Sequence, residues 1–254
     1  MRRHDRRTTF LSTVALAAAL SVPFLDGGSA TAAPDAAAYD TAPAASAQLA
    51  AFPVSEAQFN EMFPQRIAFY TYAGLLDAVG KYPTFTGTGD DTQRLREAAA
   101  FLANIDHESG QLRYVEEQNQ ANWPLYCDTT QPYGCPAGQS AYHGRGPIQL
   151  SWNFNYKAAG DALGIDLLNN PDLVKNDASV AWQTGVWYWM TQSGPNSMPA
   201  HDAISAQGFG GTIRSINGAL ECDGRNPAQV QSRIDTYLRF TSILGVDPGG
   251  NLSC

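Results

Sequence analysis

A mainly α-helical fold with little β structure is what this sequence predicts, and three observations predict it. Capping residues stand ahead of several apolar runs, those runs repeat at the helical period of about 3.6 residues, and glycines close them. Ser55-Glu56-Ala57-Gln58 has the form of a capping box and opens a short helix through Met62 and Phe63. A second helix is expected over 65–79, ended by Gly80, and 82–89 reads as a loop. Asp90 and Asp91 cap a third helix, in which Leu95, Ala98, Ala99, Leu102 and Ile105 fall on one face. Residues 154–163 make a helix closed by Gly164, and Asp177 caps 178–191, a run so apolar that it must be buried. Its aromatic cluster, Trp187, Tyr188 and Trp189, is read as core. Asn226 and Pro227 start a last helix through Leu244, which Gly245 closes. About eight helices and few strands result.

Two stretches break this pattern. Residues 112–116 read as an extended return after Gly110, and Ile148, Leu150 and Trp152 alternate as in a strand, with Gln149, Ser151 and Asn153 on the other face. Residues 208–211 read as a glycine-rich turn, and 119–142 as an ordered loop rich in Asn, Gln, Pro and Gly.

The chain divides into a signal peptide at 1–33, an Ala/Pro-rich linker at 34–50 and a catalytic domain at 51–254. Four arginines precede an apolar run and the small-residue site Ala30-Thr31-Ala32, the pattern of an export signal. Arg6-Arg7 lies close to the twin-arginine form, with one residue too many before Phe10. The run is too short, and too interrupted by Pro23, to cross a membrane. Residues 34–50 carry almost no large apolar side chain and have nothing to bury.

Charge narrows the partners. The chain has net charge −8, and removing a leader of net charge +2 leaves −10 without a basic stripe, which disfavours nucleic acid and anionic surfaces. Cys127, Cys135, Cys222 and Cys254 all lie in the exported part and favour disulfides over zinc, since neither C-x-x-C nor paired histidines occur. Three pairings are possible. The local one, Cys127 with Cys135 and Cys222 with Cys254, is favoured because the first pair brackets the turn-rich Gln131-Pro132-Tyr133-Gly134. No metal and no cofactor are expected.

The chemistry is placed in 107–117. On one helix, at about 100° per residue, Glu108 and Glu117 would face opposite ways, so a break at Gly110 is needed to bring them together. Glu108 ends the third helix on its apolar face, where partial burial and the helix dipole are expected to raise its pKa. His107-Glu108 lacks the second histidine of a zincin, and Gly138-Gln139-Ser140-Ala141-Tyr142 lacks the last glycine of a nucleophile elbow. Two carboxyls with different jobs suit glycosidic hydrolysis, although two glutamates nine apart are a weak signal alone.

His107-Glu108-Ser109-Gly110 with Glu117, the segment from Tyr142 through Gly144-Arg145-Gly146-Pro147 to Tyr156, and Ile216-Asn217-Gly218 with Glu221-Cys222 resemble the glycoside hydrolase family 19 chitinases over 52–254. The compact bacterial, actinomycete-type members are the most similar in form. The resemblance implies a two-lobed, lysozyme-like fold with a substrate cleft, and an endo-chitinase that cuts β-1,4 bonds of chitin and its oligosaccharides with inversion; the leader implies that it is secreted, and a monomer is expected. It implies that Glu108 is the general acid, Glu117 the general base and Ser151 a holder of the attacking water. Gln149, Asn155 and Asn217 would bind N-acetylglucosamine, Glu221 and Arg233 would belong to the charged network of the cleft, and the local disulfides are those of the family. Trp123 is expected to hold insoluble chitin, and Glu116 to be a solvated bystander. The sequence departs from the family at His143, where a tyrosine is common, and at Ser109-Gly110-Gln111. A peptidoglycan hydrolase and a non-catalytic chitin-binding antifungal protein are the alternatives.

Overall fold

The structure is a computed structural model and describes residues 52–254; the leader at 1–33 and the linker at 34–50 read from the sequence lie outside the described residues. Eight α-helices are described: α1 (Glu56–Met62), α2 (Tyr72–Gly80), α3 (Asp91–Glu108), α4 (Asn153–Leu163), α5 (Leu173–Asn176), α6 (Ala178–Thr191), α7 (Ala200–Glu221) and α8 (Pro227–Leu244). A 3₁₀ helix covers Gln120–Tyr126. Among the described residues there is no strand, only isolated bridges joining Glu116 to Arg145 and Arg145 to Leu150.

The caps act as their chemistry requires. Ser55 and Gln58 close a reciprocal capping box on α1, Asp90 accepts from the Gln93 amide on α3, and Asp177 accepts from Ser179 and Val180 on α6. Gly164 and Gly245 end α4 and α8 in the left-handed conformation. Helix α3 is the axis of the core, buried from Glu97 to Asp106 and packed against α8 and α7. Helix α6 packs on α2, α5, α7 and α4, and its Trp182 and Trp189 are wholly buried.

Four elements differ from the sequence reading. Helix α2 starts at Tyr72, not at 65, because Thr71 caps it and the preceding residues are held elsewhere, the Ile67 amide by the Leu112 carbonyl at 3.1 Å. Leu112 has φ 58° and belongs to a turn, so only 115–117 run beside another segment. The alternation at 148–152 is not a strand: Gln149 and Trp152 have positive φ, Trp152 is exposed, and Asn153 is buried and bonded to the 128–134 loop. Residues 208–211 form no separate turn but lie inside α7, which kinks at Gly208. Both local disulfides are formed, Cys127–Cys135 and Cys222–Cys254.

Candidate active site

Glu108 is the last residue of α3, and Glu117 follows the turns at 109–113 on the short extended segment. The break at Gly110 (φ 58°) reverses the chain, as the spacing requires. Both glutamates line one open cavity of about 410 Å³, together with Tyr126, Gln149, Ser151, Trp152, Asn155, Tyr188, Asn217 and Leu220. Only the two glutamates among its lining residues are charged.

The two carboxyls have different surroundings. Glu108 Oε1 accepts from Arg233 Nη2, and the side chain stays 18% exposed. Arg233 is fully buried, and its Nε and Nη2 donate to both oxygens of Glu221 at 2.8 and 2.7 Å, while Nη1 donates to Asn104. Burial opposes the guanidinium charge, but Glu108 and Glu221 outweigh it and raise Arg233 above its ordinary value. Burial likewise opposes the Glu221 charge, yet Arg233 and Asn217 hold Glu221 below the usual carboxylate range. Burial, and then the charge of Glu108, push Tyr188 up.

Glu117 is held by neutral donors. Its Oε1 accepts from Asn122 at 2.9 Å and Tyr126 at 3.2 Å, both on the 3₁₀ helix, and Oε2 is buried without a hydrogen-bond partner among the described residues. Burial and then Glu117 push the Tyr126 hydroxyl up to about 12, so it remains a donor near neutral pH. The 3₁₀ helix is anchored in turn by the Cys127–Cys135 bridge and by Asn153, which accepts from the Asp128 amide and donates to the carbonyls of Asp128 and Gly134.

Ser151 and Gln149 reach the same cavity from the turn leading into α4, and Asn155 from the first turn of that helix. The Ser151 hydroxyl donates to the Gln149 carbonyl, the Gln149 amide to Gly146 and the Asn155 amide to Ser151. Asn217 enters from α7, and its amide donates to Glu221 at 2.7 Å. Glu221 and Arg233 do not line this cavity; they line an adjoining one with His107, Glu108 and Asn217. Trp123 lines neither. Its indole stacks on His143 with centroids 3.6 Å apart and bounds a shallow concavity of about 510 Å³.

Glu116 is no solvated bystander: its Oε2 contacts His143 Nε2 at 3.2 Å and Lys175 Nζ at 3.0 Å. Burial opposes its charge, but these two neighbours hold it below the ordinary carboxylate value. Burial is also what holds His143 below the ordinary histidine value. Tyr126, Asn122 and Tyr188 are the site residues that the sequence reading missed. Tyr188 was hidden in an aromatic cluster that is otherwise core, and Tyr126 had only its place beside Cys127 as a signal.

Fold and site together define a helical protein whose open and mostly uncharged cleft carries two glutamates from different segments. The model of the family described as chitinase class I, glycoside hydrolase family 19, matches residues 54–254, and the chain belongs to this family. It shares 47% identity over 188 residues with chitinase 6 of Oryza sativa subsp. japonica, covering 73% of this chain and 66% of the rice protein. With endochitinase B of Zea mays it shares 48% over 187 residues, 73% of this chain and 63% of the maize protein. The alignments thus span slightly less than two thirds of these plant relatives. The crystal structure of a bacterial family 19 chitinase superposes with a TM-score of 0.78 at 70% identity, covering 80% of this chain and all of that one. Chitinase C from Streptomyces griseus gives 0.79 at 67% identity, over 81% and 99%. The helical architecture is the lysozyme-like one of this family.

Proposed function

We propose that this chain is an endo-chitinase that hydrolyses β-1,4 bonds between N-acetylglucosamine units with inversion. The observation that carries the reading is the convergence of Glu108 and Glu117 on one cavity with unlike partners. Oε1 of Glu108 is committed to Arg233, so the transferable proton belongs on Oε2, from which it passes to the glycosidic oxygen. The carboxylate of Glu117, which lines the cavity, takes a proton from the water that attacks the opposite face of the sugar. Ser151 helps to hold that water. Inversion needs the carboxyls about 6.5–9.5 Å apart.

Gln149, Asn155 and Asn217 offer amides to the hydroxyl and acetamido groups of an uncharged polymer. Glu221 acts through Arg233, and the pair fixes Glu108 rather than meeting the sugar directly. Export through a leader at 1–33 and action as a monomer belong to the same reading. N-terminal sequencing should find that the secreted protein begins after Ala33, and sedimentation should give the mass of a single chain.

The deciding experiment uses a defined N-acetylglucosamine oligomer. Glu108→Gln and Glu117→Gln should each lower kcat by about 10²–10⁴-fold while oligomer binding persists. Proton NMR should show the α anomer released first by the unmodified protein. Near-normal turnover in Glu108→Gln, or an initial β product, overturns the assignment of roles or of stereochemistry respectively. Clearing of bacterial walls with no release from chitin oligomers would favour a peptidoglycan hydrolase.

A further inference from the structure

Three separate holds on the base segment lead back to His143, two through its ring and one through the main chain that follows it. The Glu117 amide donates to the Gly144 carbonyl at 2.8 Å, and Gly144 directly follows His143. The Glu117 carbonyl accepts from the Trp123 indole at 3.2 Å, and that indole lies flat on the His143 ring, 5° from parallel. The side chain of Glu116, next in sequence, turns to the opposite face and meets His143 Nε2 at 3.2 Å. His143 itself is almost wholly buried and is tied by Nδ1 to the Ser140 carbonyl at 2.8 Å. A carbonyl only accepts, so Nδ1 carries a proton.

We propose that His143 is a positioning residue for Glu117: its ring, clamped between Trp123 and Glu116, fixes the peptide groups from which the Glu117 carboxylate projects. This inference rests on the reading of Glu117 as the general base. The physical need for such a brace is visible at the carboxylate. Its Oε1 has two donors and its Oε2 has none, so the carboxylate is held from one side only and its placement depends as well on the segment that carries it. Fixing the Glu117 N–H, its C=O and the preceding side chain leaves that backbone little freedom. Lys175 and Arg145 complete the surroundings: Lys175 pairs with Glu116 at 3.0 Å, and both cations meet Asp172, Arg145 at 2.7 Å and Lys175 at 3.5 Å. None of these groups lines the cleft with Glu108 and Glu117, so the brace acts from behind the site. The same geometry gives Trp123 a role other than holding insoluble chitin.

His143→Phe keeps the stack and removes both polar contacts of the ring, whereas Trp123→Phe keeps a ring and removes only the indole donor. Because misplacing a catalytic group by about 1 Å costs on the order of 10²-fold, His143→Phe should lower kcat on a chitin oligomer by about 10- to 100-fold with KM unchanged. In a Glu117→Gln background the same change should have almost no further effect, since the two losses share one route. Unchanged kcat in His143→Phe, or a loss that persists in full beside Glu117→Gln, overturns the proposal. A second readout needs no turnover: the ¹³C carboxyl resonance of Glu117 should shift in both variants. An unshifted resonance overturns the brace even where the protein cleaves chitin, whereas a shifted resonance in a protein that cleaves no chitin upholds the brace and rejects only the enzymatic reading. Where His143→Phe fails to fold, Trp123→Phe carries the resonance test alone.

Discussion

At the scale of single residues, the cleft depends on small groups placed where larger ones would intrude. Gly144 is the clearest instance, because a Cβ there would stand 2.9 Å from Gln149 Oε1 and 3.3 Å from Ser151 Oγ. The closest atom is a side-chain end that can yield, and Gln149 Cβ at 3.3 Å need give only a few tenths of an ångström, so Gly144→Ala should cost less than about 1 kcal/mol of stability. Gln149 and Ser151 would move, however, and both line the cavity. The expected outcome is a roughly tenfold loss in kcat/KM on oligomers with an unfolding free energy lowered by less than about 1 kcal/mol, checked by paired kinetic and urea-unfolding measurements. Tyr126→Phe probes the other side of the base. It removes one of two donors to Glu117 Oε1, a charge-assisted contact of the kind that contributes about 1.5–3 kcal/mol. Oligomer kinetics should show kcat reduced about tenfold with KM little changed, the Asn122 bond at 2.9 Å remaining to hold the carboxylate.

At the scale of elements, what was legible in the sequence is what local chemistry determines. Ser55, Asp90, Asp177 and Asn226 cap the helices they precede, and Gly164 and Gly245 end theirs, because a cap needs only its own neighbours. Residues 65–71 were misread because a distant partner, the Leu112 carbonyl, decides them, and 148–152 because the chain turns tightly back on Arg145 instead of running on as a strand. The glutamates were legible through the break at Gly110, but the family motifs, not their spacing, gave them roles. Helix α7 was missed for a reason of its own. Its glycines permit the C-terminal segment to cross it: Gly210 donates its amide to the Asn251 carbonyl at 2.8 Å, and a Cβ on Gly210 would lie 2.0 Å from the Ser253 carbonyl oxygen. Backbone against backbone cannot yield as a side chain does. Gly210→Ala should therefore lift the strap and cost about 1–3 kcal/mol, the range for overpacking, as read by urea denaturation. Cys254→Ser, which opens the 32-residue loop closed on Cys222, should cost about 3–4 kcal/mol on loop-entropy grounds.

At the scale of the whole molecule, charged side chains that are themselves buried, Arg233, Arg145 and Glu97, tie separate segments together. Arg233 joins α8 to Glu221 on α7 and Glu108 on α3, and Arg145 reaches Asp172 beside α5. The third point lies away from the cleft. Glu97, buried in α3, accepts from the Thr86 amide at 2.9 Å, the Trp189 indole on α6 at 3.0 Å and His201 Nδ1 on α7 at 2.6 Å, so one carboxylate unites three helices. The hydrogen bond that His201 donates to Glu97 raises the His201 pKa, burial opposes the rise, and the charges of Glu97 and Asp202 add to it. A histidine whose folded value lies above its unfolded value of about 6.5 binds more protons folded than unfolded, so its contribution is fully present below that pH and is lost as pH rises through the folded value. His201→Gln removes the titrating charge and keeps a donor. Its destabilisation should be about 1–3 kcal/mol near pH 5, the scale of a hydrogen bond to a charged group, and should shrink toward pH 9. Urea unfolding of both proteins across that range checks it; a difference that is flat, or that grows with pH, would show that the Glu97 cluster is not held together by the charge on His201.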